Sequence, residues 1–295
     1  MSDWYRDWQN LEHATRFDGR SLLDPRNLLR NYEAFNDVRL LRERLDATRA
    51  MNVLEVGCAT GEFSRYLGLR FPQASYYGLD ISQPAIERAR TKYPSAHFCL
   101  IEPSLPVSDG WRRAGLPLRP ELIYSKDVVQ HQTKPFDFLE QLVREAAETT
   151  IVRLRTRDVG PSELDPERSC QYHYGGWMPY LVLNIEELVA HLRRFAPTAE
   201  IVVYRHHMVL GGWHGRYVPK ELFLESTGTA ETAVGIFKRT TRPDHVTIED
   251  RPDHDPAYTW DYTARRALRR ALSTLWGAGT LGRRRTRPAE TVAQR

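Results

Sequence analysis

Short apolar runs and amphipathic segments alternate through most of the chain. Runs rich in apolar and β-branched residues predict seven strands, at residues 52–57, 75–81, 96–101, 121–126, 149–155, 199–210 and 231–240. Segments with apolar residues at helical spacing lie between several of them, at residues 63–71, 84–93, 136–148 and 184–195. Strands that alternate with helices indicate a parallel sheet with right-handed crossovers. We therefore predict an α/β fold with a seven-stranded, mostly parallel sheet, helices on both faces and an antiparallel last strand, because no useful helix separates the last two strands.

Three regions fall outside this alternation. Residues 1–46 predict an N-terminal helical cap, since the stretch from residue 25 to 46 has apolar residues at helical spacing. Residues 47–242 then form the main domain. Within it, residues 158–183 are rich in proline, glycine and aromatic residues, and we interpret them as an insertion that covers the substrate at the carboxyl edge of the sheet. Residues 243–295 predict a linker followed by a basic amphipathic tail.

The location of the charge changes how the net charge of +4 is interpreted. Residues 262–295 contain nine Arg and one Glu, which sum to +8, so the other 261 residues sum to −4. The body is mildly acidic and does not indicate a surface for a polyanion, so nucleic acid is not an expected partner. No apolar run approaches the roughly 20 residues of a membrane span, and the N-terminus lacks a signal-peptide core. We expect a cytoplasmic protein.

The basic tail has three interpretations. Its predicted helix places Leu268, Leu272 and Leu275 on one face and arginines on the other. Such a helix can lie on the anionic inner surface of a membrane. It can also dock a partner protein or nucleic acid. The third interpretation is a helix that packs on its own domain and is followed by a disordered end.

A glycine loop follows the first predicted strand, in VLEVGCATGEF at residues 53–63. A dinucleotide site needs glycines at the first, third and sixth positions, but counting from Gly57 the chain has Ala59 and Glu62 there. An acid at the sixth position opposes phosphate. A P-loop is excluded, because no Lys-Ser/Thr pair follows the glycines. The loop indicates close backbone approach to a ligand that is not a phosphate.

Glu55-x-Gly57-x-Ala59-x-Gly61 resembles motif I of the class I S-adenosylmethionine-dependent methyltransferases, in which Ala59 stands where glycine is usual. The resemblance extends over residues 50–240 and implies a Rossmann-like fold, with S-adenosylmethionine as cofactor and S-adenosylhomocysteine as product. It implies cofactor contacts from the loop and from the ends of strands two, three and four. These residues are Glu55, Gly57, Cys58, Ala59, Gly61, Asp80, Ile81, Glu102, Ser125 and Lys126. The alternative is that the glycines only form a strand-to-helix turn and that Asp80 caps a helix.

Catalytic and acceptor residues are predicted less directly. In this fold the end of strand four lies beside the transferred methyl group, so the resemblance makes His131 the first candidate for a base, with Asp127 and His173 as further candidates. The alternative for His131 is a structural, hydrogen-bonded role. Tyr172, Tyr174 and Trp177 suit stacking on a ring-shaped acceptor, and the alternative is a lid whose aromatic residues pack on the core.

The predicted acceptor atom is an oxygen. The end of strand four reads Ser125-Lys126-Asp127-Val128, which does not resemble the Asn/Asp-Pro-Pro-Tyr/Phe motif of amino-group methylation. We therefore expect O-methylation of a small molecule or glycan such as a sugar. The alternatives are an RNA methyltransferase that uses the basic tail and a cofactor-binding module without catalysis. No metal is expected, because the cysteines are widely separated and adjacent histidines on a strand point to opposite faces.

Overall fold

The structure of the protein is a computed structural model, which describes residues 25–103, 107–116, 119–173, 176–210, 216–217 and 228–253. Its helices are α1 (Pro25–Glu33), α2 (Asn36–Arg44), α3 (Glu62–Arg70), α4 (Gln83–Lys92), α5 (Val107–Arg113), α6 (Pro135–Glu145) and α7 (Ile185–Phe195), with a 3₁₀ turn at Val129–His131. Its strands are β1 (Met51–Val56), β2 (Ala74–Asp80), β3 (His97–Leu100), β4 (Leu122–Lys126), β5 (Thr149–Arg157), β6 (Cys170–His173), β7 (Gly176–Pro179), β8 (Leu183–Asn184), β9 (Glu200–His207), β10 (Arg216–Tyr217), β11 (Thr229–Phe237) and β12 (Val246–Asp250).

The main sheet has the order β12-β9-β11-β5-β4-β1-β2-β3, and the short β8 pairs with β5. Strand β11 runs antiparallel to both β5 and β9, while the other pairs are parallel. The predicted α/β class, the seven predicted strands and the antiparallel last strand are confirmed, and β8 and β12 add to the count. The strand order reverses between β1 and β4, which is where open α/β sheets bind ligands at the carboxyl ends of their strands.

Strand β12 corrects the predicted linker. Residues 246–250 pair in parallel with β9, so the chain does not leave the domain at residue 243. Val246 and Ile248 alternate with polar residues in this short run, and all five residues are partly or fully exposed. A short, charged strand is typical of a sheet edge, and its weak apolar pattern resembles that of a loop. The predicted basic tail at residues 262–295 lies outside the described residues.

The predicted insertion contributes two strands to a small second sheet. Strand β6 pairs with β7 as an antiparallel hairpin, and β10 pairs with β6. The isolated bridge between Glu163 and Val182 and the short β8 attach the two ends of this region to the domain. The hairpin is therefore held at the carboxyl edge of the main sheet, next to the end of β5.

The described part of the N-terminal cap consists of two helices with a break at Ala34 and Phe35. Helix α2 buries Val38, Leu40 and Leu41 against the sheet, as its apolar spacing predicts. Asn36 is fully buried, and its Nδ2 donates to the carbonyl oxygens of Tyr204 (3.0 Å) and Glu231 (3.1 Å). These bonds attach the cap to β9 and β11.

The core lies in two layers, because adjacent residues on a strand point to opposite faces. On one face Leu54 and Ile123 pack with residues of α5, α6 and α7. On the other, Val53 and Tyr124 pack with residues of α2, α3 and α4. Truncation of such buried side chains to alanine typically costs about 2–5 kcal/mol. Within the described residues, no helix is both long and apolar enough to cross a membrane.

Candidate active site

A cavity of about 800 Å³ opens at the carboxyl ends of β1, β2, β4 and β5. Helix α1 and the break that follows it cover one side of the cavity, through Leu28, Asn31, Tyr32 and Phe35. The 3₁₀ turn and the hairpin form the far end. Its position at the reversal of strand order is the one that the fold favours for a ligand. The predicted site residues that line it are Glu55, Gly57, Cys58, Ala59, Asp80, Ile81, Glu102, Lys126, Asp127 and His131.

The glycine loop requires glycine at positions 57 and 61 for steric reasons. Gly57 has a φ of +84°, and a Cβ there would lie 2.2 Å from Cγ2 of Val128. Gly61 has a φ of +79°, and a Cβ there would lie 2.5 Å from Cζ of Phe98. Both values of φ are strained for residues with a side chain. Gly61 shapes the turn into α3 and is not among the residues that line the cavity.

Asp80 joins the end of β2 to the glycine loop. Its Oδ2 accepts from the amide of Ala59 and its Oδ1 from the amide of Ser82, each at 2.8 Å. The cap of helix α4 is Ser82, whose hydroxyl oxygen accepts from the amide of Ala85, so the helix-cap interpretation of Asp80 is wrong. The carboxylate also lines the cavity. A charged hydrogen-bond acceptor is thus presented to the ligand in a fixed orientation.

Glu55 is a buried carboxyl group on the cavity wall. Burial raises its pKa to about 8, against the opposing effect of a hydrogen bond donated by the hydroxyl of Tyr76. A positively charged ligand group next to Glu55 would favour its ionised form. Glu62, the other acid of the loop region, pairs with Lys92 at 2.8 Å and accepts a hydrogen bond from the hydroxyl of Thr60.

Ser125, which was predicted to contact the cofactor, does not line the cavity. Its side chain is fully buried and donates from Oγ to the carbonyl oxygen of Val56 at 2.9 Å. The hydroxyl therefore links β4 to β1. Glu102, by contrast, lines the cavity with an exposed side chain after β3, and Ile81 lines it next to Asp80.

Asp127 does not suit the predicted role of a base. It follows β4 with a φ of +59°, and its carboxylate accepts from Nη1 of Arg153 at 3.1 Å and from Nη1 of Arg155 at 2.9 Å. Burial alone would raise the pKa of Asp127, but the two guanidinium groups outweigh it and hold that pKa well below its usual range. The carboxylate stays ionised and committed to the arginines, so it positions them and does not accept a proton.

His131 lies at the far end of the cavity with one ring nitrogen committed. Its side chain is 8% exposed, and Nδ1 is 2.7 Å from the carbonyl oxygen of Pro179. A carbonyl oxygen only accepts, so Nδ1 carries the proton and Nε2 is the basic nitrogen of the neutral ring. The ring therefore has the tautomer that a general base needs.

The hairpin places different residues in the cavity from those predicted. Tyr172 and Trp177 are opposite each other on β6 and β7, with ring centroids 5.3 Å apart, and are 47% and 39% exposed. Neither is among the lining residues, whereas Gln171 and Tyr180 are. Strand alternation turns Tyr172 away from the face of its neighbour Gln171. The structure therefore places Tyr172 and Trp177 outside the lining of the cavity, and the side chain of His173 and all of Tyr174 lie outside the described residues.

Two buried arginines of β5 also line the cavity and were not predicted. Arg155 donates from Nε to the hydroxyl of Tyr180 (2.8 Å) and pairs through Nη2 with Glu231 (2.9 Å). Arg153 pairs with Glu231 and, at 2.9 Å, with Asp253. The alternation of arginines in TTIVRLRTR was a signal, because charges at every second position of a buried strand must meet partners on one face.

A group of potential metal ligands lies on the same face. Atoms of His206, Glu231 and Asp253 are within 4.8 Å of one another. Glu231 and Asp253 are already paired with Arg153, and Nδ1 of His206 lies 3.1 Å from Asp253. These acids balance a buried guanidinium, so the group does not indicate a cation site.

The cavity fits S-adenosylmethionine. The loop offers close backbone approach without a phosphate nest, Asp80 and Glu102 offer carboxylates, and Glu55 is a buried acid next to the loop. Acids near a bound sulfonium and ammonium are favourable, whereas they oppose phosphate. The residues that would hold the cofactor are Glu55, Gly57, Cys58, Ala59, Asp80, Ile81, Glu102 and Lys126.

Comparison with known proteins agrees with this fit. Residues 54–150 match the family model described as a methyltransferase domain. The trans-aconitate 2-methyltransferase of Paracidovorax citrulli is 33% identical over 72 residues, which are 23% of this chain and 28% of that protein. The enzyme of the same name from Methylobacterium radiotolerans is 32% identical over 106 residues, covering 34% and 37%. The chain thus spans less than half the length of the curated relatives that it matches.

Solved structures are similar to this chain at lower sequence identity. The N-terminal domain of EvdMO1, crystallised in the presence of S-adenosylhomocysteine and D-fucose, is 15% identical, with a TM-score of 0.47 over 74% of this chain and 99% of that one. Residues 54–150 thus match a methyltransferase domain, and the fold and the motif residues resemble those of the class I S-adenosylmethionine-dependent methyltransferase superfamily.

Proposed function

We propose that this protein transfers the methyl group of S-adenosylmethionine to a hydroxyl oxygen of a small, neutral acceptor, such as a sugar or another hydroxylated metabolite. The observation that carries the proposal is that one cavity joins the glycine loop to His131. The bound cofactor supplies an electrophilic methyl group on a sulfonium. The residues of this chain then have to hold the acceptor oxygen, remove its proton and exclude water.

His131 is the proposed base. A hydroxyl group must lose its proton as its oxygen forms the new bond, and a positioned histidine typically accelerates such a step by about 10²–10⁴-fold. The bond from Nδ1 to Pro179 leaves Nε2 as the proton acceptor. Because the backbone carbonyl holds the ring, the base keeps its orientation while the acceptor is oriented against it.

The charge of the cavity wall supports a neutral acceptor. Arg155 donates to Tyr180, Asp127 and Glu231, and Arg153 is paired with Asp127, Glu231 and Asp253 and lies 3.5 Å from Asp37. Together with Lys126, these three cations face four carboxylates, so the group sums to −1. A substrate carboxylate would compete with acids that already hold both guanidinium groups.

Gln130 supports an acceptor that carries hydrogen-bond donors. It precedes His131 in the 3₁₀ turn, lines the cavity and is 1% exposed. Its Oε1 is buried without a hydrogen-bond partner in the described structure. An unpartnered buried oxygen costs about 1–3 kcal/mol, which a hydroxyl group of the acceptor would recover and a carboxylate would not.

A second candidate is methylation of a carboxylate oxygen. It is favoured by the name of the relatives, trans-aconitate 2-methyltransferases, and by the two arginines on the cavity wall. A carboxylate is already ionised and needs no base. The two candidates therefore differ in their requirement for His131.

The test is a mass-spectrometric screen with methyl-labelled cofactor against two matched panels. One contains neutral sugars and polyols, and the other contains small di- and tricarboxylates, including trans-aconitate. The proposal predicts labelled methyl ethers from the first panel only, and loss of product in His131→Ala. Methyl esters from the second panel that persist in His131→Ala would establish the second candidate. Cofactor binding without product from either panel would indicate a binding module.

A further inference from the structure

The 3₁₀ turn after β4 presents two hydrogen-bond acceptors to the cavity from consecutive residues. Gln130 and His131 both line the cavity and are 1% and 8% exposed. The proton on Nδ1 of His131 makes Nε2 the basic nitrogen of its ring, and Oε1 of Gln130 is a carbonyl oxygen, which only accepts. Because consecutive Cα atoms lie about 3.8 Å apart, the two side chains reach neighbouring parts of one ligand.

Main-chain hydrogen bonds hold this turn in place. The amide of His131 donates to the carbonyl oxygen of Val128 at 2.9 Å. The amide of Leu181, at the end of the hairpin, donates to the carbonyl oxygen of Gln130 at 2.8 Å. The side chain of Gln130 therefore starts from a fixed backbone, and its near-complete burial keeps Oε1 out of bulk water.

Oxygen Oε1 of Gln130 is buried without a hydrogen-bond partner among the residues that the structure describes. Nearby polar groups that line the cavity are engaged elsewhere. Nε2 of Gln171 donates to Sδ of Met178 at 3.1 Å. The hydroxyl of Tyr180 accepts from Nε of Arg155 at 2.8 Å. Since an unpaired buried acceptor is costly, the partner that suits Oε1 is a donor on the ligand.

We propose that the methyl acceptor is a vicinal diol, in which one hydroxyl donates to Oε1 of Gln130 and its neighbour donates to Nε2 of His131 and receives the methyl group. Two adjacent hydrogen-bond acceptors match two adjacent donors. A mono-alcohol would leave Oε1 unpaired, and a carboxylate has no proton to offer either residue. Gln130 is thus a specificity-determining residue. The inference rests on the proposed function, because it assigns the second hydroxyl of the same substrate.

The two hydroxyl groups have different fates. The hydroxyl at His131 loses its proton to Nε2 as its oxygen bonds to the methyl carbon. The bond from that carbon to the sulfonium sulfur breaks, and the electron pair of that bond leaves a neutral thioether. The hydroxyl at Gln130 keeps its proton and its hydrogen bond. The product is therefore a monomethyl ether with an unmethylated hydroxyl beside it.

The test compares cis- and trans-1,2-cyclohexanediol with cyclohexanol, ring probes that differ by one hydroxyl. Binding of each probe to the protein loaded with S-adenosylhomocysteine is measured by NMR titration. Wild type should bind one of the diols at least about tenfold more tightly than cyclohexanol, because only the diol pairs the buried oxygen. Gln130→Met keeps the length of the side chain without its polar atoms. It should reduce this preference to less than about twofold and leave the affinity for cyclohexanol unchanged.

The matched control is Gln132→Met, two positions along the chain. Gln132 also lines the cavity, but its Nε2 donates to the carbonyl oxygen of Val128 at 3.5 Å. This variant should keep the preference for the diol. An unchanged affinity of Gln130→Met for S-adenosylhomocysteine verifies that the variant is folded. No preference for either diol in the wild type, or a preference that persists in Gln130→Met, would overturn the proposal.

Turnover distinguishes this inference from the proposed function. With S-adenosylmethionine, wild type should convert the preferred diol to its monomethyl ether. A diol preference that is lost in Gln130→Met, without a methyl ether from any hydroxylated compound, would support the diol site and refute methyl transfer to a hydroxyl. Methyl ethers formed equally well from cyclohexanol and the diols would support the transfer and refute the diol site.

Discussion

His131 and Pro179 are joined by a hydrogen bond of 2.7 Å between Nδ1 and the backbone carbonyl oxygen, across 48 positions of the chain. The first belongs to the turn after β4 and the second to the end of β7. A backbone hydrogen bond of 2.8 Å joins the same two segments, from the amide of Leu181 to the carbonyl oxygen of Gln130. Contacts from the hairpin region thus fix the orientation of His131, the proposed base, although the two segments are far apart in the sequence.

Replacement of His131 should separate catalysis from cofactor binding. We expect His131→Ala and His131→Gln to lower kcat by about 10²–10⁴-fold on a hydroxyl acceptor, because the proton then has no positioned base. The affinity for S-adenosylhomocysteine should change by less than about threefold. Turnover and calorimetry measure the two quantities. His191→Ala on α7, away from the cavity, is the control, and equal turnover in all variants would refute the role of a base.

The glycine loop offers a test of steric necessity. Gly57→Ala places a Cβ 2.2 Å from Val128 at a φ of +84°, so we expect a loss of at least about 2 kcal/mol in unfolding free energy and strongly weakened cofactor binding. Adding Val128→Ala should recover only the steric part. Gly68→Ala is the matched control in α3, where no atom lies within 4 Å. It should be neutral or stabilise the helix by up to about 1 kcal/mol. Urea denaturation distinguishes the two sites, and similar losses at both would contradict the argument.

The buried pairing of Arg153 should matter more than that of Arg157 on the same strand. Arg153→Leu removes the one cation that pairs with all three of Asp127, Glu231 and Asp253 and leaves Arg155 to balance the first two, so we expect a loss of about 3–5 kcal/mol. Arg157→Leu removes a bond to the carbonyl oxygen of Pro161 and should cost about 1 kcal/mol or less. Denaturant midpoints compare the variants. A smaller loss of unfolding free energy in Arg153→Leu than in Arg157→Leu would show that the buried ion pairs of Arg153 do not stabilise the fold as expected.

Glu55 should give the unliganded protein a recognisable pH dependence. Its pKa is raised to about 8 in the folded state from 4.5, mainly by burial, so between these values the folded chain binds more protons than the unfolded chain. This contribution to stability is complete below pH 4.5 and decreases as pH rises towards 8, by at most about 1.4 kcal/mol per pH unit.

The comparison of wild type with Glu55→Gln isolates this effect. Relative to the variant, the unfolding free energy of the wild type should fall from pH 5 to pH 8, as measured by urea denaturation. Glu186→Gln, an exposed position on α7, should run parallel to the wild type. Parallel curves for wild type and Glu55→Gln would contradict a raised pKa.

The parts of the fold that were predictable are those with local signals. Each of the seven predicted strands is a short run rich in apolar and β-branched residues, and the spacing of Glu55, Gly57 and Asp80 placed these residues at one sheet edge, as observed. Strand β12 was not predicted, because a half-exposed edge strand needs few apolar residues. With only Val246 and Ile248 as apolar residues, the segment resembles a polar linker in sequence. Its pairing with β9 is a long-range property of the sheet.

The acceptor end of the cavity was less predictable, because it depends on contacts between distant segments. Aromatic composition favoured Tyr172 and Trp177, but the register of β6 and β7 turns both outward and brings in Gln171. Asp127 has the right position for a base, yet two arginines 26 and 28 residues away fix its charge. The sequence around a residue does not reveal partners that come from distant parts of the chain.

The most direct test of the account is the binding of S-adenosylhomocysteine to wild type and to Asp80→Ala by calorimetry. The carboxylate of Asp80 holds the amides of Ala59 and Ser82 at 2.8 Å and lines the cavity, so its removal should loosen the loop and remove a ligand contact. We predict one bound molecule per wild-type chain and an affinity at least about 100-fold lower in Asp80→Ala, while Asp109→Ala on α5 binds normally. Unchanged affinity in Asp80→Ala, or no binding to the wild type, would contradict the assignment of this cavity to the methyl donor.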